Sequence, residues 1–376
     1  MGRQRIVVKI GSSSLTKTNG SLSLEKLTEH VGALAALKNQ GHEVILISSG
    51  AVAAGFPSLG YPSRPVTLSG KQAAAAVGQG LLMQGYMEQF APYHITPAQL
   101  LLTKEDFSHH TRFRNANRTI TELLKRGCIP IINENDSISV DELTFGDNDM
   151  LSALVSGFVH ANMLIILTDV NGIYSENPHK NPNAIRYSHL PEITKELLQL
   201  PAESGTALGT GGMKSKINAA QTALSLGVNT FIGHGLGHDK LISILKGEGD
   251  GTYLGSFSPK SVMPASKQWI SLHSSTSGSI VIDEGAEKAL LYKGKSLLPA
   301  GIVAVNGTFL PFEVIQVKNQ QGHLLGKGRT NLSSNQIDLA KGLDSSSARD
   351  ITNQKRDEVI HRDQWVANRE EQTSDE

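Results

Sequence analysis

The chain reads as an α/β protein, with a largely parallel sheet covered by helices on both faces, followed by a small β-rich domain. Three observations predict this. Up to about residue 260, short apolar runs rich in β-branched residues alternate with helical patterns. Near-continuous apolar runs between helices mark strands buried on both faces. After about residue 265, short strand candidates replace the long helical patterns. The third observation is the length of 376 residues, which at about 100–200 residues per domain leaves room for two or three domains.

The first strand is Ile6–Ile10, followed by a helix over Leu24–Lys38. Leu24, Leu27, Val31, Leu34 and Ala35 recur at helical spacing, with Ser23 as N-cap and Gly41 as stop. Glu43–Ser48, Ile129–Ile132, Met163–Leu167 and Thr230–Ile232 read as further strands, with Ala-rich or Leu-rich helices between them. In the second part, Gln268–Leu272, Ser279–Asp283, Gly301–Asn306, Glu313–Lys318 and His323–Thr330 are strand candidates, joined by one helix near Glu284–Tyr292. The stretch Ser256–Ser266, rich in Ser, Pro and Lys, marks the boundary. Ile351–Glu376 is dense in both signs of charge and is expected to be a solvated tail, helical in part or disordered. The expected domains are therefore 1–260 and 268–350, with a charged tail over 351–376.

Hydrophobic residues make up 39% and glycine adds 37 residues, so the chain has the means for a sizeable core. Lys+Arg and Asp+Glu are both 35, which excludes a chain-wide polybasic nucleic-acid binder and a long acidic solvating chain. One cysteine excludes an internal disulfide framework and a cysteine-based zinc site. The run Ile6-Val7-Val8 ends at Lys9, short of the roughly 7–15 apolar residues of a secretory segment. No run approaches the ~18 apolar residues of a membrane span. A cytoplasmic location is the expectation that follows.

Several short motifs carry candidate chemistry. Lys9 lies inside a strand expected to be buried, where an unpaired ammonium is costly. Gly11-Ser12-Ser13-Ser14 follows it, and such a turn suits phosphate; the alternative is a solvent-facing lysine beside an ordinary turn. Ser48-Ser49-Gly50 repeats the arrangement at the start of a helix, either as a cap or as a seat for an anionic group. Asn133-Glu134-Asn135-Asp136 and Gly146-Asp147-Asn148-Asp149 each bring more polar side chains than capping uses. They suit a site that grips an ammonium group or positions lysines. Thr168-Asp169 closes a strand, where ligands bind in open α/β sheets; a plain turn before Asn171-Gly172 is the other reading. Gly209-Thr210-Gly211-Gly212-Met213-Lys214-Ser215-Lys216 is the sharpest feature. Its glycines allow close approach of a ligand, and Lys216 in the first turn of a helix opposes the helix dipole unless an anion binds there.

Other matches carry nothing. His361–Asn368 fits the protein-kinase string HRDxxxxN, but too near the end of the chain for the segments that must follow it. His234 and His238 stand in a Gly-rich turn rather than on a helix.

Taken together, the strings VVKIGSSSL, ISSGAVAAG, KQAAAAVGQG, INENDSI, FGDNDMLSALV, LTDVNGIY and GTGGMKSK, in that order, resemble the amino acid kinase family. The region from about Gln268 to Asp350 resembles a PUA domain. The resemblance implies a three-layer αβα sandwich with a mainly parallel eight-stranded sheet. It implies transfer of the γ-phosphoryl group of ATP to the side-chain carboxylate of L-glutamate, the opening step of proline biosynthesis. Lys9 and Lys216 would bracket the migrating group, with Asp149 orienting them. Ser49, Asp136 and Asn148 would hold glutamate, with Asp147 nearby. Lys9, Gly11, Ser12, Thr168, Asp169, Thr210, Gly211, Gly212, Met213, Lys214, Ser215 and Lys216 would line the nucleotide site. Mg²⁺ would be held largely through the ATP phosphates, with no metal-ligand set of the chain's own. The resemblance further implies proline as an inhibitor, a homo-oligomer, and coupling to a glutamyl phosphate reductase.

A kinase of the same fold acting on N-acetylglutamate, aspartate or a nucleotide is a rival, opposed by the NEND and GDND strings. An RNA-binding or RNA-modifying protein is another. Over 268–350 there are eight Lys+Arg against seven acids, and a balance of +1 is not the footprint of phosphate-backbone binding.

Overall fold

The computed structural model describes residues 2–138, 148–176, 178, 181, 183–198, 212–256, 265–273, 276–352 and 357–368. It divides into two compact units, Met1–Asp106 with Thr111–Met263, and Phe107–His110 with Pro264–Glu376.

The strands of the first unit are β1 (Arg5–Ile10), β2 (Glu43–Ser48), β3 (Pro97–Leu102), β4 (Ile129–Glu134), β5 (Met163–Leu167), β6 (Ile173–Tyr174), β7 (Arg186–Tyr187), β8 (His189–Leu190), β9 (Asn229–Gly233) and β10 (Gly251–Leu254). Eight of them form one sheet in the order β3-β4-β2-β1-β5-β9-β10-β8, and β6 pairs with β7. All neighbours in the large sheet are parallel except β9 and β10. Its helices are α1 (Leu24–Asn39), α2 (Ala51–Gly55), α3 (Leu68–Phe90), α4 (Lys104–Ser108), α5 (His110–Lys125), α6 (Asn148–Phe158), α7 (Lys195–Leu198), α8 (Met213–Ser225) and α9 (Lys240–Leu245). Side chains alternate across a strand, so Ile6, Val8 and Ile10 point to one face, where Leu34 of α1, Leu82 of α3 and Ile244 of α9 cover them. Helices α6 and α8 lie on the other face, over β1 and β9. The sheet is the middle of three layers.

The expected strand Ile129–Ile132 continues through Asn133 and Glu134, which are buried ladder residues rather than the start of a loop. Strand β3 passed unnoticed because Pro97 and Gln99 break its apolar run, as did β10, which has four residues.

The second unit holds a five-stranded sheet in the order β12-β11-β13-β14-β15. These strands are β11 (Ser279–Ile282), β12 (Ile302–Asn306), β13 (Val314–Lys318), β14 (Leu324–Thr330) and β15 (Ile360–Ala367). Its helices are α10 (Ala265–Gln268), α11 (Glu284–Leu291), α12 (Ser334–Ala340) and α13 (Ser345–Thr352). Two expectations are corrected here. Gln268–Leu272 is not a strand: α10 runs into a π-helical turn over Trp269–His273. Trp269 and Ile270 are buried there, and a short apolar run does not separate a strand from a buried helical turn. The tail is not solvated throughout either. Strand β15 pairs antiparallel with β14 and buries Ile360 and Trp365, while Arg362 and Asp363 face outward. High charge density and a register shift in the ladder hid the two apolar anchors, and the string His361–Asn368 lies along this strand and the residue after it.

Candidate active site

Lys9 sits on the central strand β1, in register between Ile47 of β2 and Ile166 of β5. Asp149 is the second residue of α6, and Lys216 lies in the first turn of α8. Helices α6 and α8 pack together on the same face of the sheet, which brings the three side chains into one cluster. Asp149 Oδ1 pairs with the Lys9 ammonium. Its Oδ2 lies 3.1 Å from Lys216 Nζ and accepts from Ser215 Oγ at 3.2 Å. Asp149 is fully buried, and Lys9 and Lys216 are 5% and 7% exposed. Burial pushes the Asp149 carboxyl up, but the two ammonium groups outweigh it and hold the acid below the usual carboxylate range. Its place in the first turn of α6 also suits a negative charge. Two nearly buried cations thus share one carboxylate.

Beyond β1, Gly11 leads into a 3₁₀ turn over Ser12–Ser14. A Cβ on Gly11 would stand 3.5 Å from Lys9 Nζ, so glycine leaves the ammonium approachable. Helix α1 holds this turn from behind. Lys26 Nζ donates to Ser13 O at 3.1 Å and to Thr16 O at 2.8 Å, and the His30 ring nitrogen Nε2 lies 3.0 Å from Ser14 O. Burial, reinforced by Lys240, pushes the His30 imidazole down to about 4, so the ring is neutral and Nε2 carries the proton that Ser14 O accepts.

A second cluster adjoins the first through Asn148, the residue before Asp149. The Asn148 amide nitrogen lies 2.9 Å from Ser48 O, 3.0 Å from Ser49 Oγ and 2.9 Å from Asn133 Oδ1. Asn133 Nδ2 donates to Gln79 Oε1 at 3.0 Å. Ser48 Oγ and Tyr86 OH are 2.8 Å apart. Asn148 Oδ1 is buried and meets no donor among the described residues. Gly50, at φ +104°, adopts a backbone that favours glycine and turns the chain from Ser49 into α2. Asp136 stands two residues beyond β4, where burial pushes its carboxyl up against the pull of the Arg64 guanidinium.

Thr168 and Asp169 stand just past β5, beside β1 in the sheet. Thr168 Oγ1 donates to Asp169 Oδ1 at 3.1 Å, and the Thr168 amide donates to Gly233 O. Gly212 is the N-cap of α8, Met213 is half-buried and Lys214 exposed. Asp147, Thr210 and Gly211 lie outside the described residues. The structure thus brings Lys9, Asp149, Ser215 and Lys216 together, and Ser49 with Asn148. Sequence reasoning singled out the stretches that hold Ser48 and Asn133 without giving either residue a role of its own, and it passed over Gln79 and Tyr86. A glutamine amid the small residues of KQAAAAVGQG was the signal available for Gln79. Among the described residues, no group of three or more His, Cys, Asp or Glu is placed to hold a metal ion, and no helix is long and apolar enough to cross a membrane.

The fold is a doubly wound sheet that brings Lys9 of a central strand and Lys216 of a helix's first turn onto one carboxylate, and comparison with known proteins gives its family. Residues 4–234 match the model of the amino acid kinase family, and residues 278–352 match that of the PUA domain. The chain belongs to the amino acid kinase family. The curated relatives are more particular: glutamate 5-kinase 1 of Bacillus subtilis (strain 168) is 60% identical over 97% of this chain and 99% of its own length. The glutamate 5-kinase of Bacillus mycoides (strain KBAB4) is 58% identical over 98% of this chain and all of its own. Among solved structures, a UMP kinase from Ureaplasma parvum covers 68% of this chain at 14% identity with a TM-score of 0.48.

Proposed function

We infer that the chain transfers the γ-phosphoryl group of ATP to the side-chain carboxylate of L-glutamate, giving L-glutamyl 5-phosphate at the entry to proline biosynthesis. The observation that carries this reading is the Lys9–Asp149–Lys216 cluster, in which two nearly buried ammonium groups meet on one carboxylate, beside a separate cluster of amides and hydroxyls. The relatives that span the whole chain are named glutamate 5-kinases, which supports glutamate as the acceptor.

Phosphoryl transfer asks for positioning and for positive charge where negative charge shifts in the transition state. Lys9 and Lys216 would meet the transferring group from two segments, with Asp149 fixing both ammonium groups. A side-chain carboxylate is ionised well below neutral pH, so attack requires no general base. Gly11, Ser12 and the stretch Thr210 to Lys216 would seat the phosphates, and Thr168 and Asp169 the rest of the nucleotide. Ser49, Asp136 and Asn148 would grip the α-groups of glutamate, with Asp147 beside them. Asn148 Oδ1, buried and without a donor among the described residues, suits an ammonium N–H. A magnesium ion would arrive with the nucleotide and neutralise phosphate oxygens. Both oxygens of Asp149 already face ammonium groups, which fits an ion carried by the phosphates rather than caged by side chains.

Proline carries the same α-carboxylate and a cationic nitrogen, so it would compete at the glutamate pocket. A homo-oligomer, a cytoplasmic location and hand-over of the product to a glutamyl phosphate reductase complete the proposal. The test is ATP-dependent acyl phosphate formation, trapped as hydroxamate, across a panel of amino acids. Turnover of L-glutamate and not of N-acetylglutamate is expected. Equal turnover of the two would overturn the assignment of a free α-ammonium.

A further inference from the structure

Helix α3 supplies none of the residues assigned to either substrate, yet it braces the acceptor pocket at three points. At Gly78 it touches α2 backbone to backbone: a Cβ there would stand 1.8 Å from Ala51 O. The fully buried Tyr86 holds the Ser48 hydroxyl. Gln79, seven residues before Tyr86 and so on nearly the same side of the helix, holds Asn133.

The third contact sets an orientation. Asn133 is buried, and its amide is tied at both ends. Its Oδ1 accepts from the Glu134 amide at 2.9 Å and from Asn148 Nδ2 at 2.9 Å, while its Nδ2 donates to Gln79 Oε1 at 3.0 Å. The three amides form a relay with one polarity, each oxygen accepting from the next nitrogen. With its nitrogen engaged by Asn133, Ser49 and Ser48, Asn148 is left with Oδ1 as a buried acceptor that no group among the described residues fills. Remove the Gln79 oxygen and Asn133 Nδ2 becomes a buried donor without an acceptor. Asn133 then turns to find one, and the hold on Asn148 loosens.

We propose that Gln79 is a positioning residue for the amino-acid acceptor: acting through Asn133, it fixes the rotamer in which Asn148 presents Oδ1 to the acceptor's ammonium group. This rests on the reading of Asn148 as an acceptor ligand. The effect belongs to recognition of glutamate, because the relay ends at Asn148 and leaves the Lys9–Asp149–Lys216 contacts untouched.

The experiment is steady-state kinetics on the full chain with Gln79→Leu, Gln79→Glu, Asn148→Ala and the pair Gln79→Leu with Asn148→Ala. Gln79→Leu should raise the glutamate KM about tenfold, the scale of one good hydrogen bond, with kcat and the ATP KM within about threefold. Gln79→Glu keeps an oxygen in place whether or not it is protonated and should restore the glutamate KM. The double variant should be no worse than Asn148→Ala alone. If Gln79→Leu does not fold, Gln79→Asn, which withdraws the amide by one methylene, carries the same expectation. Equal loss in kcat and both KM values, failure of Gln79→Glu to restore binding, or multiplied effects in the double variant would each overturn the inference. Should Asn148→Ala raise the glutamate KM while Gln79→Leu does not, only the role of Gln79 falls. Should Asn148→Ala leave that KM unchanged, the acceptor assignment itself falls.

Discussion

Two ammonium groups lean on one carboxylate at Asp149, and each has a different origin: Lys9 from a strand, Lys216 from a helix. Removing either lysine leaves Asp149 and the other cation in place but takes away one of the two donors proposed for the transferring group. Lys9→Ala and Lys216→Ala should each lower kcat by on the order of 10²–10³, with little change in the glutamate KM. If the pair acts as a unit, the double variant should lose less than the product of the two effects. Lys214→Ala, at an exposed position, should alter the ATP KM at most; near-normal kcat in folded Lys216→Ala would dissolve the clamp. His30 gives a prediction about pH. Its folded imidazole is held down to about 4, whereas an unfolded histidine titrates near 6.5. Between those values the unfolded chain takes up a proton that the folded chain refuses. Stability is therefore unaffected above pH ~6.5 and falls as pH drops towards 4, by roughly 3 kcal/mol if the whole shift is expressed. Urea midpoints at pH 7.5 and 4.5 should converge in His30→Gln relative to the parent; an equal acid loss in both would clear His30 of the effect.

At the level of elements, the proposed acceptor site rests on the contact of α2 with α3. A side chain at Gly78 meets the backbone of Ala51 and Gly55, neither of which can rotate away. Gly78→Ala should force α2 off α3 at a cost of about 1–3 kcal/mol, lowering Tm and raising the glutamate KM while the ATP KM holds. An unchanged Tm and KM would mean the two helices part without consequence. Strands and helices with strong periodicity were legible from the chain alone: β1, β2, β5 and α1 fall where the apolar runs place them. What was not legible has physical reasons. Trp269 and Ile270 are apolar enough for either a strand or a buried turn, and burial alone was readable. Strand β15 lacks a regular alternation: its buried anchors Ile360 and Trp365 stand five residues apart across a register shift, with the exposed Arg362 and Asp363 between them. The site divides in the same way. Lys9, Asp149 and Lys216 stand out because charges in apolar company need explaining, whereas Gln79 and Tyr86 act through other side chains, a relation that no linear spacing records.

Over the whole molecule, every assigned residue precedes Ile217 and lies in the first unit. A chain ended at Met263 should therefore retain glutamate-dependent turnover. Complete loss in a folded, soluble truncation would mean that the β-rich unit contributes to catalysis. The order of the seven motif strings made the fold readable, and the sheet order explains why they cooperate. Strands β1, β2, β4 and β5, far apart in the chain, are neighbours in the sheet, so the loops that leave them meet at one edge.

The position of Lys9 in the ladder has a further consequence for how the protein wears out. Its backbone is paired on both sides in the middle of an eight-stranded sheet, among the last segments to open in native-state hydrogen exchange. The Ser12–Ser14 turn just beyond it has no such ladder. In deuterium, the amides of Val8 and Lys9 should exchange only at the rate of global opening, while those of the turn exchange early. The cation proposed to meet the phosphate is thus mounted on the slowest-breathing part of the chain. Ageing or gentle heating should remove molecules from the active population one at a time, leaving each survivor with an undiminished grip on its nucleotide.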